Sequence, residues 1–135
     1  MDELQRVMCV EDDPDIRKIL EFSLGRLGGY TLSMCASGQE ALDKVQLFAP
    51  DMVLLDVMMP GMSGPQTLRN LREIDCMWGI PIVFVTAKAM QEELEALLEL
   101  GASGTIVKPF DPVTLASDIR IYWRSEERRV GKECW

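Results

Sequence analysis

The stretch DMVLLDVMMPGMSGP, residues 51–65, decides how the rest of the chain is read. Met52, Val53, Leu54 and Leu55 form a short continuous apolar run, the pattern of a strand covered on both faces rather than one with a wet side. Asp56 follows directly. A carboxylate at the end of four apolar residues is costly unless it has a partner or a use, and in open α/β sheets the carboxyl ends of the strands are where ligands bind. Gly61, Gly64 and Pro65 then make a loop. Ser63 with Gln66 has the spacing of a capping box, and it precedes a helix carrying Leu68, Leu71 and Ile74.

Working outward, residues 6–10 form an apolar strand that ends in three consecutive acids, Glu11, Asp12 and Asp13. Asp13 is placed to cap a helix with Pro14 at its first position, and Ile16, Ile19, Leu20, Leu24 and Leu27 continue it at helical spacing as far as Gly28 and Gly29. Residues 30–35 read as a second strand. Ser37 with Glu40 is a second capping box, for a helix built on Ala41, Leu42, Val45 and Phe48 and closed by Pro50. IPIVFVT, residues 80–86, is the fourth strand, with Pro81 near its start, where a missing N–H does least harm. The next helix uses Met90, Leu94, Leu97 and Leu98 and stops at Gly101. Residues 105–107 are a short fifth strand before Lys108-Pro109. Asp111 caps a last helix with Pro112 at its first position and Leu115, Ala116, Ile119, Tyr122 and Trp123 on its apolar face. Five strands alternating with five helices over short connections imply an α/β fold. The expected form is a doubly wound (βα)5 unit with a five-stranded parallel sheet in the flavodoxin-like order 2-1-3-4-5.

The totals agree with one such unit, residues 1–123: the chain has 135 residues and is 47% hydrophobic. A formal net charge of -8 argues against a direct nucleic-acid or anionic-membrane partner, either of which requires a basic patch, and favours a basic protein surface or a bound cation. No run has the length of a membrane-crossing helix, and the N-terminus lacks a signal-peptide pattern, so a cytoplasmic location is expected. Cys9, Cys35, Cys76 and Cys134 lack metal-ligand spacing and read as reduced core residues. The segment RSEERRVGKEC, residues 124–134, breaks the apolar period with seven charges in eleven residues. It looks like an in-frame translation of a common sequencing-library adapter, so 124–135 is set apart as a non-native tail or a disordered extension of the last helix.

The strand ends gather the chemistry. The first supplies Glu11, Asp12 and Asp13, the third Asp56, the fourth Thr86 and the fifth Lys108. Carboxylates brought together at low dielectric repel, so such a cluster holds protons or binds a cation. Oxygen-only ligands with room for water suit Mg2+. A cation beside a lysine and a hydroxyl suits a phosphoryl group, because each can neutralise or bond one of its oxygens. The chain has no histidine, which excludes a Ser-His or Cys-His nucleophile and any histidine metal ligand of its own. Taken singly, Asp12 or Asp13 would be a helix cap, Thr86 a strand-end hydroxyl and Lys108 a solvated charge. Their joint placement at four strand ends favours one site.

VEDDPDIR at residues 10–17, LLDVMMPGMSG at 54–64, FVTA at 84–87 and GASGTIVKPF at 101–110 occur in this order. Over residues 7–123 the chain thereby resembles a response-regulator receiver domain of two-component signalling. The resemblance implies that Asp56 accepts a phosphoryl group from the phosphohistidine of a sensor histidine kinase or a phosphotransfer protein. It also implies Mg2+ bound directly by Asp12, through water by Glu11, and by Asp56 and the backbone carbonyl of Met58. Asp13 is then a helix cap. Lys108 would pair with the phosphoryl oxygens and be joined to Pro109 by a cis bond. Thr86 would swing toward the phosphoryl group and move the loop beginning at Ala87, altering the face of the fourth helix, fifth strand and fifth helix toward a downstream protein target. Such a chain is not an enzyme beyond phosphoryl transfer to its own Asp56 and slow self-dephosphorylation. With no output-domain pattern after Trp123 it reads as a stand-alone receiver of the chemotaxis type, with the N-terminal part of a truncated protein as the alternative, and as a monomer or a weak activation-dependent dimer.

Two departures from the family pattern have consequences. Thr105 stands where receivers commonly carry Tyr or Phe, so the signal is expected to leave through residues 86–90 and the fourth helix. Met58, with Lys88 at the other position that influences attack of water, has no group that orients one, which predicts slow loss of the phosphoryl group; a half-life of seconds would overturn this. Three other readings compete. A haloacid-dehalogenase-type phosphohydrolase wants a second Asp two residues after the nucleophile, where this chain has Met58. A flavodoxin-like cofactor binder wants a phosphate-cradling loop after the first strand, where this chain has acids. A non-phosphorylated pseudo-receiver scaffold would have no use for the acceptor machinery present.

Overall fold

The computed structural model describes residues 3–88 and 90–133, with side chains as far as Arg124. Five strands, β1 (Arg6–Val10), β2 (Thr31–Cys35), β3 (Met52–Asp56), β4 (Ile82–Thr86) and β5 (Gly104–Val107), form one sheet in the order β2-β1-β3-β4-β5. Every pairing is parallel. The order expected from the sequence is the one observed. The register sets Val10 beside Leu55, Asp56 beside Val85 and Thr86 beside Val107. The last residues of β1, β3, β4 and β5 therefore share one edge.

Alternation along the strands sends successive side chains to opposite faces, and the helices divide accordingly. One core joins Met8, Val10, Val53, Leu55 and Phe84 to α2 (Gly38–Phe48), α3 (Gly64–Arg72) and α4 (Gln91–Glu99). The other joins Val7, Cys9, Leu54, Val83 and Val85 to α1 (Pro14–Leu20) and α5 (Leu115–Glu133). With both faces covered, β3 and β4 are buried along their whole length, which explains their unbroken apolar runs. Pro81 lies just outside β4 and loses nothing there, since its carbonyl accepts from Val53 N at 3.0 Å.

The helices depart from expectation in four places. The first helix does not stay α-helical to Leu27: Glu21–Leu27 is wound as a π-helix. Ser23 is buried within that wider turn and donates to Pro112 O, and Tyr30 Oη donates to Ala116 O at 3.0 Å, so the segment is tied to the start of α5. Ser37 caps α2 by accepting from Glu40 N, but the returning bond from Glu40 Oε1 goes one residue earlier, to Ala36 N. On α4 only Leu97 is buried, while Met90 and Leu98 are exposed, because the helix meets the sheet along a single line. Asp111 does cap a turn, accepting from Val113 N at 2.9 Å, but α5 proper begins at Leu115 and runs past residue 123 to Glu133.

Cys9 and Cys35 are buried free thiols as expected; Cys76 is free but exposed, in the 3-10 turn before β4, and Cys134 lies outside the described residues. At the end of the sheet where the strands begin, Asp51 Oδ2 accepts from Gln5 N and Arg6 N, and Arg6 lies 4.3 Å over the ring of Phe48. Trp78, just before β4, and Trp123, beside Leu4, also stand at this end. Among the described residues no helix is long and apolar enough to cross a membrane.

Candidate functional site

At the opposite edge, Asp56 is 6% exposed at the end of β3. The loop after it doubles back so closely that a Cβ on Gly64 would lie 2.3 Å from Asp56 O, an approach only glycine permits. The Ser63–Gln66 capping box is present in both directions and fixes the start of α3 just after this contact. Beside it, β1 ends with Glu11, whose N–H donates to Cys35 O at 2.9 Å and whose carboxylate is turned inward, 2% exposed. Glu11 Oε2 accepts from Asp13 N at 3.2 Å. Asp13 itself accepts from Asp15 N as the cap of α1, so the third acid serves the helix. Glu11, Asp12 and Asp56 each place an oxygen within 4.8 Å of the others.

Lys108 reaches in from the end of β5, where its N–H donates to Thr86 O at 2.8 Å. Its Nζ lies 3.1 Å from Glu11 Oε1 and 3.2 Å from Asp56 Oδ1. Its bond to Pro109 is cis, as the resemblance implied. Thr86 is buried at the end of β4, and its Oγ1 accepts from Lys88 N at 3.0 Å. Burial pushes the acidities of Glu11 and Asp56 to higher pH than an ordinary carboxylate, against the opposing pull of Lys108. Burial works against the charge on Lys108 as well, but its bond to Glu11 and the fields of both acids outweigh it and hold the ammonium charged.

The donor set suits a small hard cation. It is all oxygen, and it is short of positive charge, with one lysine against three carboxylates. Octahedral Mg2+ at its usual bond length keeps ligand oxygens within about 4.2 Å of one another. The observed spread needs only a small closure, or one ligand acting through water.

Glu11, Asp12, Asp56 and Lys108 thus meet at this edge, and Thr86 ends β4 on the same edge. In the loop after Asp56, Met59 is buried and Met62 half-buried, its sulfur accepting from Asn70 Nδ2, while the Met58 side chain is 68% exposed. One participant was not anticipated. Arg17, on α1, donates from Nη1 to Glu11 O at 2.8 Å and to Asp12 O at 3.0 Å.

An all-parallel sheet in this order, with helices on both faces and acids at the ends of its central strands, defines a flavodoxin-like α/β domain with an acidic edge. Within that class the chain belongs to the response regulator receiver domain family, whose model matches residues 7–120. It is 38% identical over 123 residues to the DNA-binding response regulator MtrA of Mycolicibacterium smegmatis, covering 91% of this chain and 52% of MtrA. It is 32% identical to the alkaline phosphatase synthesis transcriptional regulatory protein PhoP of Bacillus subtilis, covering 91% and 50%. Among solved structures, the chemotaxis protein CheY4 of Vibrio cholerae matches with a TM-score of 0.82 at 31% identity, covering 89% of this chain and 99% of that one. The BeF3-activated N-terminal receiver domain of Klebsiella pneumoniae RstA matches with a TM-score of 0.79 at 32% identity, covering 89% and 99%.

The chain spans about half the length of the curated relatives it matches. This corrects the exclusion of nucleic acid drawn from the net charge. MtrA is named as DNA-binding, and the charge of one domain does not constrain a partner bound by the rest of such a protein.

Proposed function

We propose that the chain is the phosphorylation switch of a two-component system, with Asp56 as the acceptor. The observation that carries this is the placement of Lys108 Nζ between Asp56 and Glu11 at the one edge where three carboxylates converge. A carboxylate oxygen of Asp56 attacks the phosphorus of a phosphohistidine in line, the P–N bond breaks, and the imidazole leaves with the electron pair, giving an acyl phosphate on Asp56. Lys108 already bonds Oδ1, which favours the ionised nucleophile and leaves the other oxygen to attack. Mg2+, held by Asp12, Asp56, the backbone carbonyl of Met58 and, through water, Glu11, would neutralise charge on the phosphoryl oxygens. The donor, a sensor histidine kinase or phosphotransfer protein, sets the reaction in the cytoplasm.

Thr86 is the means of transmission. Its oxygen accepts from Lys88 N while its own proton stays free to be donated, so rotation toward a phosphoryl oxygen strains or breaks the tether to the loop leading into α4. That helix has one buried residue, Leu97, so the core holds it at a single point. Thr105 offers no aromatic ring to relay the motion, so the output runs through residues 86–90 and α4. Shift changes on activation confined to the acid pocket would count against this route. In a protein built like MtrA or PhoP, the change would act on nucleic acid through the remainder of the chain.

Intact-protein mass spectrometry after incubation with a small acyl-phosphate donor tests the reading. A single phosphoryl adduct is expected that requires both Mg2+ and Asp56 and is absent from Asp56→Asn. No adduct, with Mg2+ binding intact, would overturn it in favour of a scaffold.

A further inference from the structure

We propose that Arg17 is a positioning residue for cation binding, fixing the loop that presents Glu11 and Asp12; this rests on the reading of the acid cluster as the Mg2+ site. One guanidinium nitrogen, Nη1, donates to two successive carbonyls, Glu11 O at 2.8 Å and Asp12 O at 3.0 Å. The backbone N–H of Arg17 donates to the next carbonyl, Asp13 O, at 3.0 Å. A single residue therefore gathers the three consecutive carbonyls of the acidic loop and anchors them to the first turns of α1.

The two acids depend on this differently. The Glu11 carboxylate is held at both oxygens, by Lys108 and by Asp13 N. No hydrogen bond or ion pair to the Asp12 carboxylate is found among the described residues, so its position follows from its backbone. Glu11 N, bonded to Cys35 O, and Asp13 N, bonded to Glu11 Oε2, hold that backbone on either side, and Arg17 holds the Glu11 and Asp12 carbonyls. Partners of this kind, one step removed from a metal, are worth about 10- to 100-fold in metal affinity.

The test is the Mg2+ dissociation constant by calorimetry on the full chain, with thermal unfolding in the absence of Mg2+ as the check on folding. Arg17→Met is expected to weaken Mg2+ binding about ten-fold or more, and Arg17→Lys, which keeps the charge and a donor, to recover most of the loss. Lys18→Met removes the same charge from an exposed neighbour on α1 and should change the constant by less than about two-fold. In acyl-phosphate labelling, Arg17→Met should need more Mg2+ for half-saturation while reaching the parent's rate at saturation. If Arg17→Met does not fold, Arg17→Gln, which retains a donor without the charge, is judged by the same criterion. Parent-like Mg2+ affinity in the folded Arg17 variant, or an equal loss in Lys18→Met, would overturn the assignment. Failure of the parent itself to bind Mg2+ would bring down the receiver-site reading, and this proposal with it.

Discussion

Asp56 is held in a setting that opposes its charge, and this is the price of a ready nucleophile. Burial raises its pKa and that of Glu11, so just above the ordinary carboxylate range the folded protein keeps protons that the unfolded chain has lost. The contribution of these two acids to the stability of the metal-free protein should therefore fall as the pH rises through that window. Asp56→Asn removes one of the crowded charges while Lys108 keeps Glu11 as partner. It should stabilise the metal-free protein at neutral pH by on the order of 1 kcal/mol, a rise in Tm of about 4 °C. Added Mg2+ should stabilise the parent more than the variant. Calorimetry across pH checks both, and a variant less stable than the parent at neutral pH would show that the bond to Lys108 outweighs the crowding. At this scale the sequence was legible where a charged residue ended an apolar run, as at Glu11, Asp56 and Lys108. Arg17 was not, because its partners are backbone carbonyls, which every residue carries and no pattern marks.

Between β5 and α5, the ring missing at Thr105 has a counterpart on the other side of the strand. A Cβ on Gly104 would fall 2.2 Å from the Tyr122 ring, and Tyr122 Oη donates to Thr105 O at 3.1 Å. The glycine thus leaves the space in which an aromatic from α5 lies flat on the strand. Gly104→Ala should cost about 1–3 kcal/mol through overpacking, and most of that cost should vanish in a Tyr122→Ala background. Urea unfolding of the four proteins of the cycle measures it, and simple additivity would mean the ring moves aside freely. Elements were legible where local chemistry marks their ends, as with Ser63 and Gln66 or Asp13 and Pro14. They were illegible where distant contacts decide. The π-helical segment Glu21–Leu27 carries Ser23, whose partner Pro112 is distant in the chain, and the exposure of Met90 and Leu98 depends on how α4 lies on the sheet.

For the molecule as a whole, the strand order followed from apolar runs long enough to be covered on both sides, and the two cores share only the sheet between them. What a single domain could not convey was the company it keeps: the net charge of one unit does not constrain a partner bound elsewhere in a protein such as MtrA. The sheet is also polar in its division of labour. The Asp51 carboxylate and the Phe48 carbonyl, both bonded to Arg6, secure the end where the strands begin, and the reactive groups occupy the end where they finish. The two indoles of the described residues, Trp78 and Trp123, both belong to the secured end. Their emission should therefore report loss of the fold in denaturant yet stay flat when Mg2+ is added to the native protein, and a clear spectral change on adding Mg2+ would reveal communication across the full length of the sheet. The chain carries an optical gauge of its own integrity that is blind to its chemistry.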